Sequence, residues 1–156
     1  MKKLLMILGG IFGFLVIAGA VVIAILAVRG SALDKESKDY VDAAIPAIVS
    51  HWDIAEIQQR SSPEFKAAVS DQDLAKLVQM FKRLGGLKAY NGAKGGSNMS
   101  VTTEQGKVIS AEYVGNADFD TGPADIKISL IKHDEQWQLL GISIESRVFL
   151  DQQSPS

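Results

Sequence analysis

The chain contains no cysteine. That absence excludes disulfides, thiol nucleophiles, Cys-ligated zinc or iron–sulfur centres, and lipid attachment through cysteine. Histidine is nearly as scarce, with only His51 and His133. They lie too far apart in the sequence to form a His-Glu-x-x-His set, and no metal and no cofactor is expected. Basic charge is also limited. Lys2, Lys3 and Arg29 stand without acids in residues 1–29, leaving 13 basic and 18 acidic side chains beyond, a balance of −5. Such a surface is unsuited to nucleic acid, which needs a concentrated basic face. The densest basic pair, Lys82-Arg83, reads as the solvated end of a helix. A phosphate cradle is excluded too, because the glycines between Asn91 and Ser97 lack a following Lys-Ser/Thr and come after a helix.

What the chain does have is one long apolar run. Leu4 to Val28 is 25 residues without a charge, a strongly polar side chain or a proline. As a helix it would rise about 37 Å, enough to cross a hydrocarbon core of roughly 30 Å with some tilt. A cleaved signal with Ala18-Gly19-Ala20 as its processing site is the rival reading. Cutting there would leave Val21–Val28 as a bare apolar end, and signal cores are shorter than this run. Residues 4–28 are therefore expected to be an uncleaved single-pass anchor behind a short flank, residues 1–3. Lys2 and Lys3 favour a cytoplasmic N-terminus and an extracytoplasmic domain. Gly9 and Gly13, continued by Ala20 and Ala24, offer a small-residue face for helix pairing, and so for a homodimer or partner through the anchor. Gly10-Ile11-Phe12-Gly13-Phe14 resembles a type IV prepilin cleavage region, but Leu15 stands where that family has glutamate.

The remainder, residues 31–146 with a tail at 147–156, reads as helices first and strands after. Ser31 with Asp34 predicts a capping-box start, followed by Val41, Ile45, Ile48 and Trp52 at helical spacing. Pro46 should kink or divide this helix. Asp53 with Glu56 opens a short piece, Ser62-Pro63-Glu64 another, and Ser70 with Asp73 a last helix striped by Leu74, Leu77, Val78, Phe81 and Leu84. Gly85-Gly86 ends it. Asn91–Ser97 is expected to be a flexible loop. Met99, Val101 and Thr103 suggest a first strand, and Ile109 to Phe119 keep one parity along a second. Ile126, Ile128 and Leu130 alternate with Lys127 and Ser129 in a third, and Trp137 to Ser146 form a fourth. In the fourth the apolar parity slips beside Gly141, which predicts a bulge or sharp bend. Short turns imply an antiparallel meander, so the fold class is α+β.

Tyr113–Phe119, Gly122-Pro123-Ala124, Ile126–Ile131 and Trp137–Gly141 with Ile144 resemble small bacterial domains of unknown function in the nuclear transport factor 2-like (cystatin-like) superfamily. The resemblance implies several short helices packed on a curved, four-stranded antiparallel sheet, forming a cone. It leaves activity open, because that superfamily holds enzymes, ligand binders and interaction modules. Its enzymes place Asp, Tyr and His inside the cone. Here Tyr113 has the core-facing parity while Glu112 and Asp118 have the opposite one, so no catalytic set is expected. Tyr113 and Trp137 are ligand-contact candidates, but each reads more simply as a core aromatic. His51 is expected to cap the end of its helix, and His133 to be solvated in a turn. The reading is a membrane-tethered interaction or accessory module; the alternatives are a small apolar-ligand binder using the cone and a hydrolase or isomerase.

Overall fold

A computed structural model describes residues 30–150. The anchor predicted at 4–28, with Gly9, Gly13, Ala20 and Ala24, lies outside them. No helix among the described residues is long and apolar enough to cross a membrane. Residues from Asp34 onward form one compact unit, which holds the fold described below.

Helix α1 occupies residues 30–51 and leads into three shorter helices, α2 (Ile54–Arg60), α3 (Pro63–Ala68) and α4 (Asp71–Phe81), the last continued by a 3-10 turn at Lys82–Leu84. Four strands follow: β1 (Leu87–Thr102), β2 (Gly106–Phe119), β3 (Gly122–His133) and β4 (Gln136–Glu145), paired antiparallel in the order β1-β2-β3-β4. A short helix, α5 (Arg147–Leu150), occupies the start of the expected tail. The class is α+β with an open four-stranded antiparallel sheet.

The helix starts follow their capping side chains. Asp53 accepts from Ala55 N at 2.8 Å, Ser62 from Phe65 N at 3.2 Å, and Ser70 from Asp73 N at 3.1 Å. The 3-10 turn stops where Gly85 takes φ +84°, a conformation L side chains rarely adopt; the Asp120 carboxylate then accepts the Gly86 amide at 2.6 Å. Two expectations about α1 change. Its first described residue, 30, is already helical, so Ser31 does not open it, and the Asp34 carboxylate accepts from Ser97 of the sheet. Pro46 does not divide it either: helix continues through residue 51, and Ser50 Oγ donates to the Pro46 carbonyl at 2.5 Å. The end comes at Trp52, whose φ of 49° is unusual for a bulky residue. Its ring repays the strain by packing at 5.6 Å from Phe119 and 5.8 Å from Phe81, while its indole N–H donates to Gly85 O at 3.3 Å.

The core lies between α1 and one face of the sheet. Val41, Ala44, Ile45, Ile48 and Val49 are buried, facing the buried stripe of Ala111, Tyr113, Ala117, Ile126, Ile128, Leu130 and Leu139. The opposite face is polar, with Lys127 bonded to Glu145 and Asn116 to Asp125. The bulge expected beside Gly141 is present. Ser129 pairs with Gly141 and Leu130 with Leu139, so Leu140 is the extra residue that moves the inward parity.

The largest departure is Asn91–Ser97, which is strand, not loop. Glycines usually argue for a turn, but here they permit close pairing. A Cβ on Gly95 would overlap the Glu112 carbonyl oxygen and sit 2.8 Å from Tyr113 Cα. Gly92, at φ +94°, occupies the register shift between Tyr90 and Ala93. Gly95→Ala therefore forces β1 from β2 and should lower stability by about 1–3 kcal/mol. Gly96→Ala, whose Cβ would meet nothing nearer than Asp34 Oδ1 at 3.5 Å, should change it by less than about 0.5 kcal/mol. Urea midpoints of the full chain in detergent, read by tryptophan fluorescence, distinguish the two; equal effects would refute the close-approach account.

Candidate functional site

The side chains with most chemistry in them gather where the N-terminal half of α1 meets the sheet. Tyr113 points inward from β2 and is 3% exposed. Its hydroxyl lies 2.8 Å from Ser37 Oγ and donates to the Asp34 carbonyl at 3.1 Å. The Asp34 carboxylate accepts from Ser97 N at 2.7 Å and from the Ser97 hydroxyl. Tyr90 Oη donates to Asp42 Oδ1 at 2.8 Å. Glu36 accepts from Lys132 Nζ at 2.6 Å and from the Trp137 indole N–H at 3.3 Å, and the Lys132 ammonium stands 5.7 Å from the Trp137 ring centroid. One helix end is thus bonded to all four strands.

These bonds fix the charge states. The Ser97 hydroxyl, then its amide, hold the Asp34 carboxyl below the usual carboxylate range. The Lys132 ammonium does the same for Glu36, whose carboxylate in turn raises Lys132. Burial pushes the Tyr90 phenol upward, and the Asp42 carboxylate adds to the effect.

The two aromatic candidates do not share a cavity. Trp137, 8% exposed, borders a polar surface cleft of about 340 Å³ with Tyr40, Glu56, Arg60, Gln136 and Gln138. There the Arg60 guanidinium is held by Glu56 at 3.1 Å and lies 5.8 Å from the Tyr40 ring centroid. The larger groove, about 670 Å³, is elsewhere, between Pro123, Ala124 and Ile144 of the sheet and Val148 and Phe149 of α5. Glu112 is exposed on the opposite face from Tyr113, and Asp118 bonds Asn91 at 3.1 Å, so neither reaches the phenol. Among the described residues no three His, Asp or Glu side chains are grouped to hold a metal ion.

Both histidines depart from expectation. His51 is exposed and bonds no carbonyl among the described residues; the left-handed Trp52 turns the chain away instead. His133 is not merely solvated, because its Nε2 lies 2.8 Å from Glu64 Oε1 and links β3 to α3. No sequence signal joins residues so far apart. The roles of Glu36 and Ser37 were equally hidden, since both read as ordinary polar positions of an amphipathic helix, and Asp34 read as a capping partner of Ser31.

Compared with protein-family models, curated proteins and solved structures, the chain finds no match.

Removing the buried hydroxyl in Tyr113→Phe should destabilise the fold by about 1–2 kcal/mol, because Ser37 loses a buried partner. Asp34 and Glu36 have lowered values in the fold, so their stabilisation is present above the carboxylate range and is lost as pH falls through it. The melting temperature should fall on acidification, and less steeply in Asp34→Asn, which has no carboxylate to protonate. An identical acid profile for the variant would refute the linkage.

Proposed function

We propose that this chain is a membrane-tethered extracytoplasmic interaction or accessory module, its domain a cone of the nuclear transport factor 2-like kind. The observation that carries the reading is the use made of the inner face. Where an enzyme or ligand binder of that superfamily keeps a cavity with converging polar groups, Ile45, Ile48, Ile126 and Ile128 fill the space, and Tyr113, Asp34 and Glu36 are bonded into the helix–sheet joint. A domain so filled acts through its surfaces. The helices-then-sheet order and the bulge at Leu140 support the cone. The 25 apolar residues from Leu4 to Val28 support the tether, and Lys2 and Lys3 the outward orientation of the domain.

The absence of native cysteine makes this directly testable. Ser143→Cys, exposed on β4, should react with a membrane-impermeant maleimide in intact spheroplasts, and the protein should stay with the membrane after alkaline carbonate extraction. Carbonate release would overturn the tether, and labelling only after lysis would overturn the orientation.

A further inference from the structure

The two edges of the sheet are finished differently. At β4 the Leu139 carbonyl accepts the Ser62 amide at 2.8 Å, and Ser61 forms a bridge to the same residue, so the α2–α3 link covers that edge. At β1 the Ser97 amide is taken by Asp34 at 2.7 Å. Among the described residues, β1 beyond Ser97 pairs only with β2, from Asn98↔Ser110 to Thr102↔Gly106. The β2–β3 register begins at Ser110↔Ile131. The four residues Gly106–Ile109 and their β1 partners therefore leave the sheet as a two-stranded ribbon, roughly 13 Å long at the usual rise per residue.

This ribbon is two-faced. Met99 pairs with Ile109 and Val101 with Lys107, so side-chain alternation puts these four on one face. Ser100, Thr102 and Val108 occupy the other. Val101, at 76%, is the most exposed large apolar side chain among the described residues, and Met99 is 37% exposed. A projecting ribbon gains nothing in the core from such residues. They stand beside a lysine, whose aliphatic stem can lie along an apolar surface while its ammonium reaches phosphate.

Chain length bounds how far the base of the ribbon can lie from the apolar run. Ser97 is bonded to Asp34, and Asp34 follows the last residue of the apolar run, Val28, by six positions. Six residues reach at most about 20 Å even when fully extended. We propose that the ribbon face formed by Met99, Val101, Ile109 and Lys107 is a second membrane contact, resting in the headgroup region of the bilayer that residues 4–28 cross. The inference rests on the tethered reading above. With the domain already held at the surface, contact by a few aliphatic side chains is intramolecular and needs no independent affinity. It would set the orientation of the domain, turning the polar sheet face and the α5 end toward partners.

Val101→Cys gives a unique attachment point for an environment-sensitive fluorophore in the full chain, reconstituted into phosphatidylethanolamine–phosphatidylglycerol vesicles. Ser143→Cys serves as the reference position. Vesicle flotation reports the tether separately. Expected are flotation of both proteins, a blue-shifted emission at position 101, and at least threefold stronger quenching there than at 143 by a lipid carrying a shallow nitroxide. Flotation with equal quenching at the two positions overturns the ribbon contact and leaves the tether standing. Failure to float overturns both. Energy transfer between labels at 101 on separate chains, without lipid quenching, assigns the bare β1 edge to a second copy and likewise overturns the proposal.

Discussion

The whole fold depends on the seating of one helix. α1 presents an unbroken apolar side, Val41, Ala44, Ile45, Ile48 and Val49, to the buried face of the sheet. How close it comes is set at Gly115, where an added Cβ would lie 2.6 Å from Ile45 Cδ1. The polar end of the same helix is bonded in turn to β1 through Ser97 and Tyr90, to β2 through Tyr113, to β3 through Lys132 and to β4 through Trp137. Dispersion and apolar burial hold the middle of the helix, and directional bonds hold its start. The first supplies most of the stabilisation; the second selects the angle and register at which it is obtained.

That arrangement decides what is left for function. A buried phenol, two carboxylates and a lysine at one end of a helix could, in another packing, line a reaction cavity. Here each is matched by a partner at hydrogen-bond distance, and the desolvation cost of each polar group is met locally. The chemistry-bearing groups are therefore joints. On the proposed reading, contact with partners and membrane falls to the outward surfaces: the polar sheet face, the groove beside α5, and the ribbon that continues β1 and β2 past the covered part of the edge.

Much of this was legible from local rules. The caps at Asp53, Ser62 and Ser70, the stripe Leu74–Val78–Phe81, the alternation along β2 and β3 and the parity slip at Leu140 all follow from periodicity and backbone preference. Three of the misreadings share one cause: each concerns a residue whose local tendency is overruled by a distant partner. The glycines of Asn91–Ser97 favour a loop in isolation, but become strand because Glu112 and Tyr113 lie too close for a side chain at Gly95. Asp34 has the spacing of a capping residue, yet Ser97 competes for its carboxylate. His133 sits in polar company, and only the packing of α3 against the neighbouring β4 brings Glu64 to it.

By itself the sequence determined the apolar run at residues 4–28, the helix-then-strand order, which residues face inward, and the exclusion of thiol and multi-histidine chemistry. Composition and period carry those properties, and neither needs a partner. Only the tertiary structure decided that β1 runs unbroken through its glycines, that Tyr113 and Trp137 fasten a helix instead of lining a common pocket, and that the β1–β2 ribbon outruns its neighbour. Each of these depends on contacts between residues remote in the chain, where a side chain's role is set by what the fold places within a few ångströms of it.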